Sequence, residues 1–218
     1  MSDDKTEPLT IDVTDNPISR VQSRVVPSRI TRARETVDPH LSQARRTCAA
    51  LVASATNPPL RLNAEFELVG LGRLRTITLE NFALLDHQEP MDGSFTLSFA
   101  YRGREPLVHV CASETVYKAL RRKLFDHDLA VKSVSCATTS KLIIEPLVSA
   151  SVSFSADRTR ETARITLRNV VMLGSTTYDL PLAGLDRNLI DAVVDLVTTQ
   201  GRSFYALIVA ATQGRKRS

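Results

Sequence analysis

The side chains in this 218-residue sequence best suited to hold another molecule are its arginines. There are 22 of them against 6 lysines, within a net charge of only +4. A guanidinium offers a planar fork of N–H donors that meets phosphate or carboxylate with two bonds at once, whereas an ammonium acts as a point charge. The bias suits lipid headgroups, nucleic acid or acidic protein surfaces, and a GC-rich genome would produce the same excess. Position therefore decides more than number. Arg20, Arg24, Arg29, Arg32 and Arg34 follow a run of acids, Asp3, Asp4, Glu7, Asp12 and Asp15. A segment segregated in this way is either an electrostatic arm for a phosphate-rich surface or a linker whose two halves neutralise each other. Arg45, Arg46, Arg121 and Arg122 fall on the outer faces of two expected helices. These nine arginines are the candidate contacts to an anionic surface.

Spacings that support catalysis are missing. His40, His87, His109 and His127 are scattered, and none falls into a zinc pattern such as CxxC or HExxH. His109 and Cys111 share one face of an expected strand, but side chains two apart on a strand run parallel and seldom hydrogen-bond, so a Cys–His nucleophile is not indicated. There is no GxSxG elbow, no Walker-type phosphate loop and no dinucleotide fingerprint; Gly70-x-Gly72 leads into a strand and reads as a turn. The expectation is a non-enzymatic protein with no cofactor and no metal. Cys48, Cys111 and Cys136 are odd in number, widely spaced and set among apolar or small residues, which fits small buried hydrophobes in a reducing compartment. No apolar run approaches the roughly 20 residues needed to span a bilayer, and the polar, acidic start lacks the layout of a secretory signal. A soluble cytoplasmic or nuclear protein is expected. Stacking aromatics are absent from the arm and from the Arg122 face, so nucleic-acid contact would be non-specific and through the backbone. Peripheral attachment to anionic lipid stays open.

These residues need elements to position them. Residues 1–37 hold Pro8, Pro17 and Pro27 and no sustained period, and read as a disordered charged arm. Asp38-Pro39 starts a helix that buries Leu41, Ala44, Cys48, Leu51 and Val52, turns Arg45 and Arg46 outward, and ends at Asn57-Pro58-Pro59. Leu62, Ala64, Phe66 and Leu68 then alternate with polar residues as a half-buried strand, and Leu74–Leu79 returns antiparallel after the glycine turn. Glu80–His87 fits either strand or short helix. A turn at Asp92-Gly93 leads to a strand over Ser94–Tyr101, with Leu107–Cys111 able to pair with it. Ser113 caps a helix to about Asp126 that buries Val116, Tyr117, Leu120 and Leu124 and carries Lys118, Arg121 and Arg122 outside. Strands follow at Leu129–Cys136, Leu142–Phe154 and Ala163–Leu173, with Pro146 marking an edge or bend. Asp186 caps a third helix, striped by Leu189, Ile190, Val193, Val194 and Val197 and ended by Gly201. Phe204–Ala211 reads as a closing strand. The expected class is α+β: one domain over 38–213 with a mostly antiparallel sheet and three helices, an arm at 1–37 and a basic end at 214–218.

One internal echo is present. Phe66 with Ile77-Thr78-Leu79-x-Asn81 recurs as Phe154 with Ile165-Thr166-Leu167-x-Asn169 at the same separation. Both describe a hairpin whose second strand ends at Asn, a residue tolerant of turn geometry.

Over residues 20–218 the layout resembles the matrix proteins of rhabdoviruses and related negative-strand RNA viruses. The resemblance rests on the basic arm, the strand at Leu62–Leu68, and long strands at Leu147–Phe154 and Ala163–Asn169. It ends in a closing segment, Leu182-Ala183-Gly184-Leu185-Asp186 and then Ala206-Leu207-Ile208-Val209-Ala210-Ala211 with its basic end. It implies a structural protein of the virion that self-associates, binds the inner leaflet of the host membrane and contacts a nucleoprotein, with no catalytic residues. The chain departs from that family in lacking a Pro-Pro-x-Tyr or Pro-Thr/Ser-Ala-Pro motif in the arm; only Asn57-Pro58-Pro59-Leu60 occurs. A second likeness is to the bacterial PilZ domain, which binds cyclic di-GMP. Asn169-x-Val171-x-x-Gly174 is similar to its second motif and Arg160-x-x-x-Arg164 to its first, although Arg160 and Arg164 lie too far along the chain and Val171 replaces a small hydroxyl residue. That likeness implies a degenerate, non-binding barrel acting as a cytosolic adaptor or binding module.

Overall fold

The computed structural model describes residues 38–55, 60–62, 65–68, 70–87, 93–136 and 139–213. The arm, the basic end and Asn57-Pro58-Pro59 lie outside the described residues. In chain order the elements are α1 (Pro39–Ala55), β1 (Leu60–Leu62), β2 (Phe66–Leu68), β3 (Gly72–Leu74), β4 (Ile77–Asp86), β5 (Phe95–Arg102), β6 (Leu107–Cys111) and α2 (Glu114–Asp126). Then come β7 (Val131–Cys136), β8 (Thr139–Ile144), β9 (Leu147–Asp157), β10 (Thr162–Arg168), β11 (Ser175–Pro181), a 3-10 turn at Leu182–Gly184, α3 (Arg187–Thr199) and α4 (Ser203–Gln213). The class is α+β, and the sheets are antiparallel.

A six-stranded sheet in the order β1-β4-β5-β9-β10-β11 forms the frame. Its central strands follow the period of two. On β9, Val148, Ala150, Val152, Phe154 and Ala156 are buried, while Ser149, Ser151, Ser153 and Ser155 point the other way. The buried face continues through Phe95, Leu97, Phe99 and Tyr101 of β5 and Ala163, Ile165 and Leu167 of β10. Phe95 and Phe154 are cross-strand partners whose rings stack at 4.8 Å, the kind of pair that stabilises a sheet. On the opposite face Thr96, Ser153, Thr166 and Thr177 stand in register across four strands. Their hydroxyls meet at 2.8 Å (Thr96–Ser153) and 3.2 Å (Thr166–Thr177).

Helices α1, α3 and α4 pack on one another and on strands of this sheet. Asp38 Oδ1 accepts from the amides of His40 (2.8 Å) and Leu41 (3.3 Å), as the N-cap pattern requires. Asp186 Oδ1 accepts from Leu189 N at 2.9 Å and starts α3 in the same way. A second, three-stranded sheet in the order β6-β8-β7 carries α2 on one face.

The structure corrects several expectations. Among the described residues there are four helices, because Phe204–Ala211 belongs to α4 rather than to a strand. An apolar run of this length has no period that separates strand from helix; here Phe204 and Ile208, four apart, are the buried pair. The expected strand Leu62–Leu68 is two strands, since Leu62 pairs with Ile77 in the large sheet and Phe66 with Leu74 in a separate hairpin. Its return strand breaks at the same place, where Thr76 adopts φ 52° between β3 and β4. Leu107–Cys111 pairs with β8 and not with β5. Leu142–Phe154 divides at Pro146 into β8 and β9, which belong to different sheets. Ala163–Leu173 stops at Arg168, and β11 is an additional strand whose polar sequence gave no apolar signal. Gln200, at φ 57°, is the C-cap of α3, with Gly201 just beyond it. Glu80–His87 resolves as strand, kinked by a bulge beside Asn81 at φ 58°.

Candidate anionic-surface site

Of the nine arginines, Arg20, Arg24, Arg29, Arg32 and Arg34 lie outside the described residues. The other four stand on two helices that pack on different sheets. Arg45 and Arg46 face outward from α1, opposite the buried Leu41, Ala44 and Cys48. Neither has a free guanidinium. Arg45 Nε and Nη2 donate to Asp86 Oδ1 and Oδ2 at 2.9 and 2.8 Å, a bidentate pair that ties α1 to the end of β4. The pair raises the Arg45 pKa and holds the Asp86 carboxyl below its usual range. Arg46 Nη2 donates to Gln43 Oε1 at 3.1 Å. Arg45 thus serves a tertiary contact before any external one.

Arg121 and Arg122 are placed differently. α2 starts at Ser113, whose hydroxyl accepts from Val116 N at 3.3 Å, and ends at His127. Of its thirteen residues only Leu124 is fully buried, with Tyr117 and Leu120 half-buried beside it; Val116, expected inside, is 41% exposed. The helix rests on the small sheet by a narrow stripe and leaves most of its circumference to solvent. At roughly 100° per residue Lys118, Arg121, Arg122 and Phe125 share one exposed side of the helix, next to that stripe. Phe125 is 79% exposed, the highest value among the large apolar residues described. It follows Arg121 by four residues and Arg122 by three, spacings that bring both cations to its side of the helix. Glu114 sits in the first turn and Lys123 in the last, as the helix dipole favours; Glu114 pairs with Lys118 at 3.5 Å. Four cations face two carboxylates along α2.

This modifies the expectation that the Arg122 face lacks an aromatic. Phe125 lies on that face, and the helical spacing was the signal for it. A cationic face with one exposed aromatic at its centre can do two things: the cations can engage phosphates, and the ring can leave water for an apolar layer.

The remaining chemical candidates are occupied by the fold. His109 and Cys111 point to the same face of β6, opposite Leu142 and Ser140; His109 is half-buried and Cys111 buried. Cys48 is fully buried, and desolvation pushes its thiol up to about 12. Arg160 and Arg164 line a shallow cleft of about 430 Å³, but Arg160 pairs with Asp157 (3.6 Å) and Arg164 with Asp179 (2.7 Å). The Asn169 side chain is buried and committed: it donates to Ser149 O at 3.0 Å and accepts from Gly174 N at 2.9 Å. Among the described residues no group of three His, Cys, Asp or Glu is placed to hold a metal ion, and no helix is long and apolar enough to cross a membrane.

No family model, curated protein or solved structure matches this chain.

Proposed function

We propose that this chain is a non-enzymatic binding and assembly protein that attaches peripherally to an anionic membrane surface through the outward face of α2. The observation that carries the reading is the setting of Phe125, 79% exposed between Arg121 and Arg122 on a helix with one fully buried residue. A basic residue near an anionic leaflet contributes about 1 kcal/mol, and moving a phenylalanine side chain out of water contributes about 1.5–3 kcal/mol when complete. Lys118, Arg121, Arg122 and Phe125 together would give weak, salt-sensitive attachment, to which the arm arginines add. Such attachment becomes durable when copies associate, because each copy adds its own contacts. An apolar exposed face suited to self-association is available on α4, where Tyr205, Ala206, Val209 and Ala210 are exposed and no residue is charged. A matrix-like role, bridging the surface to a nucleoprotein partner, extends the same reading.

The test is flotation with phosphatidylserine-containing and with neutral vesicles across a salt series. Binding is expected to anionic vesicles alone and to fall at high salt. Reversing Lys118, Arg121 and Arg122 to Glu abolishes it. Phe125→Ser weakens it about tenfold, the loss expected when roughly 1.4 kcal/mol of apolar transfer disappears. Binding that survives both variants would remove α2 from the contact, and no binding at any salt would end the membrane reading.

A further inference from the structure

The turn between β3 and β4 and the loop between β5 and β6 form an open cleft of about 600 Å³ whose lining includes none of the nine arginines considered above. Arg73, Arg75 and Arg104 line it together with Thr76, Glu105 and Leu107. The cleft is within the size range of small-molecule sites, and its chemistry is uneven: its lining counts three arginines against one acidic residue, Glu105.

The arginines are set by specific contacts. A single carboxylate, Glu65, reaches both Arg73 (Nη1–Oε2, 3.1 Å) and Arg75 (Nε–Oε1, 3.4 Å). One negative charge orients two positive ones and leaves most of their N–H donors unused. The backbone N–H of Arg104 donates to the Arg75 carbonyl at 3.4 Å, which holds the two loops side by side. No ion pair of Arg104 is formed among the described residues.

Between them, Thr76 holds φ 52°. For a β-branched residue this left-handed backbone is a true outlier, with a cost of about 1–2 kcal/mol. Conformations of this kind cluster where a loop is shaped for a ligand.

We propose that this cleft binds a phosphate ester of nucleotide size. Arg75 and Arg104 take the phosphate through their guanidinium forks, with Arg73 adding charge from the side. Glu105 accepts from a hydroxyl or amine on the ligand body, and Leu107 gives that body an apolar wall. A bare inorganic anion satisfies the first of these contacts only. The same chemistry is offered by a soluble nucleotide and by a phosphorylated inositol headgroup, and the two sources are separable by experiment.

Calorimetric titration of the full chain with AMP, with inositol 1,4-bisphosphate and with inorganic phosphate tests this. At least one of the two esters is expected to saturate a single site and to bind about tenfold or more tightly than inorganic phosphate. Binding by AMP alone assigns a soluble ligand, and binding by the inositol ester alone assigns a lipid headgroup. Arg75→Ala and Arg104→Ala should each weaken binding about tenfold, the effect of losing a charge-assisted hydrogen bond. Both side chains are at the surface, so an unchanged melting curve verifies that the variants are folded. The Glu variant of Lys118, Arg121 and Arg122 should bind the ester as wild type does, which keeps this result independent of membrane attachment. No saturable heat with either ester, or unchanged affinity in the Arg75→Ala/Arg104→Ala double variant, overturns the proposal.

Discussion

The Tyr101 hydroxyl donates a 2.7 Å hydrogen bond to the Val170 carbonyl and so joins β5 to the turn that follows β10. Tyr101 is fully buried, with the Phe66 ring at 5.2 Å and the Phe99 ring edge-on at 5.3 Å. Tyr101→Phe keeps this ring packing and removes only the hydroxyl, leaving a buried carbonyl without its donor. The expected loss is about 1–3 kcal/mol. In urea the midpoint should fall while the slope is unchanged, because the surface exposed on unfolding stays the same. An unchanged midpoint would mean that the bond contributes nothing net.

Asn169 terminates β10 by two means at once, a left-handed backbone at φ 52° and a side chain that spans the turn to Gly174 N and Ser149 O. Two substitutions separate these. Asn169→Gly loses the side-chain bonds but suits the backbone, while Asn169→Ala loses both. Alanine should therefore be the worse by about 1 kcal/mol, the left-handed penalty for a residue with a Cβ. Equal losses in chemical denaturation would show that the backbone term is negligible.

This asparagine was legible in the sequence, and the reason marks the boundary of what sequence shows. Its echo with Asn81 indicated two residues that end strands; both adopt positive φ, but only Asn169 follows a strand end, whereas Asn81 sits at a bulge inside β4. The pairing behind the echo was only half visible: Phe154 and Ile165 are cross-strand partners, whereas Phe66 and Ile77 belong to different sheets. Caps at Asp38, Ser113 and Asp186 and the alternation of β9 were equally plain, because each is a local preference written in neighbouring residues. What failed were choices made over distance. Nothing near Leu107 tells it to pair with Ile144 rather than with β5, and nothing within Phe204–Ala211 tells it to be helical; packing on α3 and β11 decides that. At the candidate site, the outward placing of Arg121 and Arg122 followed from helical spacing, but the bond between Arg45 and Asp86, 41 residues apart, did not.

Gly201 is constrained by a neighbour six residues back in the chain. A Cβ there would run into the carboxylate of Asp195, which is held by Thr199 Oγ1 at 2.6 Å and Ser203 Oγ at 3.3 Å where α3 passes into α4. Gly201→Ala must push that carboxylate away from its donors, at an expected cost of about 0.5–1.5 kcal/mol, the net worth of the hydrogen bonds it displaces. In an Asp195→Ala background the obstacle is gone, so the same substitution should be close to silent. The coupling measured by this double-mutant cycle should be of the same size as the single-variant loss. Additive losses would place the strain in the backbone instead.

Alkaline pH should weaken the fold through Cys48. Its side chain is fully buried on the inner stripe of α1, and desolvation raises the thiol pKa to about 12, against about 8.5 in an unfolded chain. A group whose pKa is raised on folding contributes its full stability below the unfolded value and loses it as the pH climbs towards the folded one. The vulnerable window therefore opens near pH 9 and extends to about 12, with a loss of at most about 1.4 kcal/mol per pH unit. Tyr101, whose phenol is also pushed up by burial, adds its own loss only above about pH 10. Between pH 8 and 10 the slope should belong mainly to the thiol. Urea titrations of wild type and Cys48→Ala across that interval check this: the variant, although less stable at pH 8 for want of packing, should show a nearly flat profile. A parallel fall in both proteins would assign the alkaline sensitivity to another group.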